Sequence, residues 1–177
     1  RKRKHVTSIT KSNAQGYGMV LWDKVFLSVA EEYPGITTDS QLIDAACMNF
    51  VRKPEFFDVV VGSNLFGDIL TDIGAIITGS MGLAASANLN PTRKYPSLFE
   101  PVHGSAPDIA GRGIANPLAA ILSVAMMLDH LGEQELSSEV ERGTLAALKD
   151  HTALTPDLGG TASTEEVGSA VVEQLFH

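Results

Sequence analysis

Cysteine is all but missing: Cys47 stands alone among 177 residues, which excludes an internal disulfide and fits a reducing cytosol. Its apolar neighbours suit a buried thiol. Positive charge is also short, with 13 Lys and Arg against 21 Asp and Glu and a net charge of −8. That balance argues against nucleic acid as a partner. The single basic run, Arg1-Lys2-Arg3-Lys4, leads into the strand-like Val6-Thr7-Ser8-Ile9-Thr10, so we read it as a solvated lead-in rather than a nuclear signal or phosphate patch. No stretch approaches the roughly 18 apolar residues of a membrane span, and no secretory signal is visible, so we expect a cytoplasmic protein without membrane contact. No G-x-G-x-x-G lies between a strand and a helix, and Gly111-x-Gly113 is only a piece of that fingerprint inside a loop. The chain opens within an element and without methionine; we expect it to be part of something longer.

What is present is a core-forming composition, 44% hydrophobic, enough for one domain or two small ones. Short apolar runs alternate with helical patterns, which predicts an α/β fold. After the strand Val6 to Thr10, Lys11-Ser12-Asn13-Ala14 falls at its carboxyl end, where open α/β sheets place their chemistry. Ser12 or Asn13 is expected to cap a helix with Tyr17, Val20, Leu21, Val25 and Val29 on one face, ending at Tyr33-Pro34-Gly35. Ile36-Thr37-Thr38 reads as a short extended piece. Asp39 or Ser40 is then expected to cap a helix reaching Arg52, with Leu42, Ile43, Ala46, Cys47 and Phe50 as its buried stripe and Asp44 beside it, pointing to water. Phe57-Asp58-Val59-Val60-Val61 is a β-branched run suited to a sheet buried on both faces.

The run that follows carries the clearest chemistry. A helix starting near Leu65 sets Asp68 and Asp72 one turn apart on one face. Like charges so placed repel by a few tenths of a kcal/mol, roughly, which a hard divalent cation such as Mg²⁺ or Mn²⁺ would offset. A solvated helix face is the alternative. Further on, a small-residue segment, Leu83 to Asn88, precedes a proline-bearing loop, and Ser97 to Val102 reads as a strand. His103 to Asn116 is a long glycine-rich loop of the length that is usually functional. Asn116-Pro117 caps an apolar core helix to Leu131, closed by Gly132. A more polar helix spans Gln134 to Lys149, His151 to Gly160 is a loop, and Thr164-Glu165-Glu166 opens a terminal helix.

Together, Lys11-Ser12-Asn13, Ile43-Asp44, the Ser63 to Asp72 run, Glu100-Pro101-Val102-His103-Gly104-Ser105-Ala106-Pro107-Asp108 and Gly113-Ile114-Ala115-Asn116-Pro117 resemble the metal-dependent β-decarboxylating dehydrogenases. This family includes the isocitrate, isopropylmalate, homoisocitrate, tartrate and D-malate enzymes. The resemblance covers nearly the whole chain but only the carboxyl-terminal half of such an enzyme. Within it, Lys11-Ser12-Asn13 where isopropylmalate enzymes have Asp-Lys-Ala-Asn, Gly62-Ser63 in place of Thr-Glu, and the loop lengthened by Asn88-Leu89-Asn90-Pro91 look like the tartrate and D-malate branch. A 3-isopropylmalate dehydrogenase of leucine biosynthesis is the alternative.

The resemblance implies a two-domain α/β architecture, with residues 1–80 in the central, dimer-forming and metal-binding domain and 81–177 returning to the nucleotide-binding domain. It implies a 2-hydroxy dicarboxylate substrate, NAD, and Mg²⁺ or Mn²⁺. Asp68 and Asp72 match the metal ligands of one subunit, and Asp44 matches the ligand lent by its partner in a homodimer with a shared active site. Lys11 matches the base; a nearby cation favours an uncharged amine, the form that accepts a proton. In the dinucleotide loop, His103, Gly104, Ser105, Ala106, Pro107, Asp108 and Ile109 match cofactor contacts, with Asn116 at the adenine and Asn13 on the nicotinamide side. Asp108 would accept from ribose hydroxyls and repel a 2′-phosphate. The family's substrate-clamping arginines and proton-returning tyrosine have no match, since Tyr17, Tyr33 and Tyr95 stand in no corresponding motif. The 177 residues by themselves are therefore expected to turn over no hydroxy acid and to be aggregation-prone. A catalytically idle regulatory or truncated subunit is the competing class.

Overall fold

Strand β1 (His5–Thr10) is the middle of a three-stranded parallel sheet, flanked by β2 (Thr37–Leu42) and β3 (Val59–Val61) in the order β2-β1-β3. The computed structural model describes residues 3–149 and 153–175, and the chain divides into two units, Arg1–Ile77 and Thr78–His177.

In the first unit Thr7, Ser8, Ile9 and Thr10 are all buried. Two of the buried hydroxyls are paired, Ser8 Oγ accepting from the Trp22 indole N–H at 2.9 Å and Thr10 Oγ1 from Ser12 N–H at 3.2 Å, while that of Thr7 has no hydrogen-bond partner among the described residues. Helix α1 (Gly18–Glu31) follows β1, α2 (Ile43–Arg52) follows β2 without a break, and α3 (Asn64–Ile77) follows β3. Phe66 and Leu70 of α3 meet Ala46 of α2 and Ile9 of β1, with Ile43, Cys47 and Phe50 packed around them. Truncating Leu70 to alanine in such a cluster costs about 3 kcal/mol.

In the second unit β4 (Ala85–Asn88) and β5 (Leu98–Pro101) form an antiparallel pair running from Ala85 opposite Pro101 to Asn88 opposite Leu98. The pair lies on α4 (Leu118–Leu131), which packs on α5 (Gln134–Lys149), which in turn packs on α6 (Thr164–Leu175). Leu118, Ala147, Ala162, Val167 and Val171 are the buried centre. Gly143 permits the approach of α6, because a Cβ there would lie 2.9 Å from Leu175 Cδ2.

Several expectations are corrected. Ser12 and Asn13 do not cap α1: Ala14 and Gln15 N–H groups bond to Lys11 C=O, forming a turn, and the helix begins only at Gly18. Its expected face is not core either, Tyr17 being 95% and Leu21 63% exposed. Asp39 and Ser40 are strand residues rather than caps, since β2 pairs in register with β1 from Thr37 opposite His5 to Leu42 opposite Thr10. Strand pairing overrode the capping preference of two short polar residues. β3 is shorter than read and lies at the sheet edge, with Val59 exposed, so the valine run is not covered on both faces. The small-residue segment holds strand β4, which small side chains signal poorly. Arg3 and Lys4 are exposed ahead of β1, as a solvated lead-in should be, but Arg3 is also tied down, its guanidinium donating to the carbonyls of Glu55, Phe56 and Phe57. Arg1, Lys2 and His151 lie outside the described residues. Among those described, no helix is long and apolar enough to cross a membrane.

Candidate functional site

The register of β1 and β2 brings their carboxyl ends level, Thr10 opposite Leu42. Lys11 leaves β1 and Asp44 lies in the first turn of α2 at that same end, and Lys11 Nζ meets Asp44 Oδ1 at 2.5 Å. The hydrogen bond from Lys11 is the chief cause holding the Asp44 carboxyl below its ordinary value. A backbone hydrogen bond within Asp44 assists, against a small desolvation effect, and the Lys11 charge adds to it. Asp44 is exposed, so the pair adds little to folding stability.

Asp68 and Asp72 stand exposed on α3. Asn64 Nδ2 donates to Asp68 Oδ2 at 3.2 Å, while the Thr71 hydroxyl turns back to the carbonyls of Gly67 and Asp68 at 3.0 and 3.1 Å. Two hard carboxylates one turn apart on a solvent-facing surface are a donor set suited to a divalent cation that keeps several waters. The single chain goes no further: among the described residues no three His, Cys, Asp or Glu side chains gather to hold a metal. Asp44, Asp68 and Asp72 are thus not brought together within one copy. Asn13 is exposed in the turn after β1.

The second unit contains a cleft of about 350 Å³. His103, Gly104, Ser105, Ala106, Ile109 and Asn116 all line it, while Pro107 and Asp108 stand outside the lining. The loop is ordered by local turns, Ile109 N–H to Ala106 C=O and Arg112 N–H to Ile109 C=O, both 3.1 Å. Gly111 and Gly113 adopt φ of +75° and +64°, a region open to glycine at no steric cost. His103 is half-buried, with Nδ1 3.1 Å from the Gly104 carbonyl. At the loop's end Thr164 N–H donates to Gly113 C=O at 2.8 Å and Thr164 Oγ1 to Ala115 C=O at 2.6 Å, tying the cleft to the start of α6. A wall of glycine, alanine and serine exposes backbone amides and admits close approach, which suits a phosphate-bearing, flat-ringed ligand such as a dinucleotide.

Four lining residues were not anticipated as site residues from the sequence: Ser80, Met81, Gly82 and Asp157. Ser80 Oγ donates to Asp157 Oδ2, and Asn116 Nδ2 donates to the same oxygen at 3.0 Å. Asn116 Oδ1 meanwhile accepts from Leu118 N–H at 3.0 Å, the capping role expected of Asn116. Burial pushes the Asp157 carboxyl up, but the hydrogen bonds from Ser80 and Asn116 outweigh it and leave it below its ordinary value. The buried Thr155 hydroxyl, on the same turn, has no hydrogen-bond partner among the described residues. The sequence signal was available in Asp157-Leu158-Gly159-Gly160, an acid set in a turn that glycine makes tight.

Parallel βα units bearing an acid pair and a lysine, joined in sequence to a glycine-walled cleft, make this an α/β protein. The chain belongs to the isocitrate/isopropylmalate dehydrogenase family, whose sequence model matches residues 1–171. It is 52% identical over 179 residues to a probable tartrate dehydrogenase/decarboxylase of Bacillus subtilis (strain 168), covering 99% of this chain and 49% of that protein. To the D-malate dehydrogenase [decarboxylating] of Escherichia coli (strain K12) it is 54% identical over 180 residues, covering 99% and 50%. The crystal structure of isocitrate dehydrogenase from Methylococcus capsulatus superposes with a TM-score of 0.93 at 41% identity, over 99% of this chain and 52% of that one. The chain therefore spans about half the length of the curated relatives it matches.

Proposed function

We propose that the chain forms part of an NAD- and divalent-metal-dependent enzyme that oxidises and decarboxylates a 2-hydroxy dicarboxylic acid of the tartrate or D-malate type. The observation that carries this reading is 52% and 54% identity along 99% of the chain to tartrate and D-malate decarboxylating enzymes. The isocitrate enzyme stands further off, at 41%.

Asp68 and Asp72 would hold Mg²⁺ or Mn²⁺, with Asp44 of a second copy as a further ligand in a homodimer. When bound, the metal polarises the substrate hydroxyl and lowers the energy of the enolate left by loss of CO₂. Lys11 Nζ would accept the proton of the substrate hydroxyl. Because Lys11 and Asp44 are joined at 2.5 Å in one chain, they enter the shared site together, Asp44 orienting Nζ. The cleft would take the adenosine end of NAD, with the backbone amides near Gly104, Ser105 and Ala106 for phosphate, and Asp108, next to the lining residue Ile109, would reach the ribose hydroxyls from just outside it. A carboxylate there repels a 2′-phosphate, which favours NAD over NADP. Asn13 stands on the nicotinamide side.

The test is a melting curve with and without Mn²⁺. We expect Mn²⁺ to raise the melting temperature of the wild-type chain and to leave Asp68→Asn unmoved, because a ligand that binds only the folded state stabilises it by mass action. No rise in the wild type, together with unchanged melting in Asp68→Asn, would identify a catalytically idle member of the family. We further predict that the 177-residue chain with D-malate, tartrate or isopropylmalate plus Mn²⁺ forms no NADH, since the family's substrate-clamping arginines, needed to hold the hydroxy acid for hydride transfer, have no match in it. Sustained absorbance growth at 340 nm, roughly the NADH band used to follow hydride transfer, contradicts that.

A further inference from the structure

Asp157 is the one ionised side chain lining the cleft that the proposed chemistry leaves without a task. It sits on a turn that cannot easily move: Gly160 N–H bonds to Thr155 C=O at 3.1 Å and Ala162 N–H to Leu154 C=O at 2.9 Å. Gly159 has φ +81°, and a Cβ on Gly160 would lie 2.0 Å from the Leu154 carbonyl oxygen. On this fixed turn one oxygen, Oδ2, takes hydrogen bonds from both Ser80 and Asn116. Those donors are 77 and 41 residues away in sequence and stand on separate walls of the cleft. The walls also touch, since a Cβ at Gly82 would fall 2.5 Å from Asn116 Cβ. With its Nδ2 on Asp157 and its Oδ1 on the Leu118 N–H, the Asn116 amide is committed at both ends, and its orientation is dictated by Asp157.

We infer that Asp157 is a positioning residue of the nucleotide cleft, clamping Ser80 and Asn116 so that the segment around Gly82 and the cap of α4 hold the spacing an adenine nucleotide needs. This rests on the reading of the cleft as the adenosine site. Removing the carboxylate charge leaves the Ser80 hydroxyl and the Asn116 amide with a weaker acceptor, and both walls lose their common anchor.

The experiment is calorimetric titration of the 177-residue chain with 5′-AMP, for wild type, Asp157→Asn, Ser80→Ala and the double variant, beside their melting temperatures. We expect wild type to bind and Asp157→Asn to bind about tenfold more weakly, with Ser80→Ala between them. The double variant should be no worse than Asp157→Asn, since both changes cut one clamp. Affinity equal to wild type in Asp157→Asn overturns the inference. So do losses that simply add and track the fall in melting temperature, the mark of a merely structural role. If Asp157→Asn does not fold, Ser80→Ala decides alone, and unchanged affinity there is equally fatal. Wild-type chain that binds neither 5′-AMP nor NAD instead removes the adenosine reading of the cleft, and the positioning role with it.

Discussion

Lys11 and Asp44 bear the sharpest residue-scale consequence. The Asp44 carboxyl is lowered chiefly by the Lys11 hydrogen bond. A lowered acid contributes stability above its ordinary value and forfeits it as pH falls through the folded one. Replacing Lys11 by methionine should move the Asp44 midpoint back up toward the ordinary carboxylate range, followed by carboxyl-carbon NMR against pH. Stability at neutral pH should change little, because both partners are solvent-accessible. An unmoved midpoint in Lys11→Met would mean that the backbone, not the lysine, sets the acid's affinity for its proton. Both residues stood out in the sequence as candidates, but only as separate ones. Thirty-three positions apart, they are joined by the parallel register of β1 and β2, which no local pattern announces.

At the scale of elements, ends are better defined than faces. α4 closes at Gly132, whose φ is +98° and whose N–H, with that of Glu133, returns to Asp129 and Leu128 carbonyls. Nothing lies within 4 Å of a Cβ built there, so Gly132→Ala tests backbone strain alone and should cost about 1 kcal/mol, read as a lower urea midpoint at unchanged slope. α6 opens on a reciprocal pair, Ser163 N–H to Glu166 Oε2 at 2.7 Å and Glu166 N–H to Ser163 Oγ at 3.2 Å, the capping-box geometry. Its bonds, the Ser163 backbone N–H first and the hydroxyl second, hold Glu166 below its ordinary value. α5 could be read end to end from its polar and apolar alternation. β2 could be read only in part: Thr37 and Thr38 read as extended, but Asp39 and Ser40 favour caps, and they became strand because β1 offered a ladder. The α1 stripe was visible as a pattern, yet its residues face outward within the described chain.

For the whole molecule the question is what covers the apolar faces of the first unit. Met48 and Val51 on α2, with Leu65 and Ile76 on α3, are each at least 60% exposed, and large apolar side chains gathered on a surface mark a site where another chain can dock. With the homodimer proposed above, these helices would meet their copies. The double change Met48→Glu with Ile76→Glu should then shift sedimentation from dimer to monomer while the circular dichroism of the helices persists. A wild-type chain that already sediments as a monomer argues that another surface, or another protein, is the cover. The amino-acid sequence by itself determined the α/β alternation, the ends of α4 and α5, the acid pair on α3 and the glycine-rich loop, because each depends on residues within a turn or two of one another. Only the tertiary structure decided that Lys11 holds Asp44, that β2 and β4 are strands, and that Asp157 reaches across 77 positions to Ser80. Partners so far apart are chosen by how the elements pack, and packing is a property of the folded chain that no short window of sequence contains.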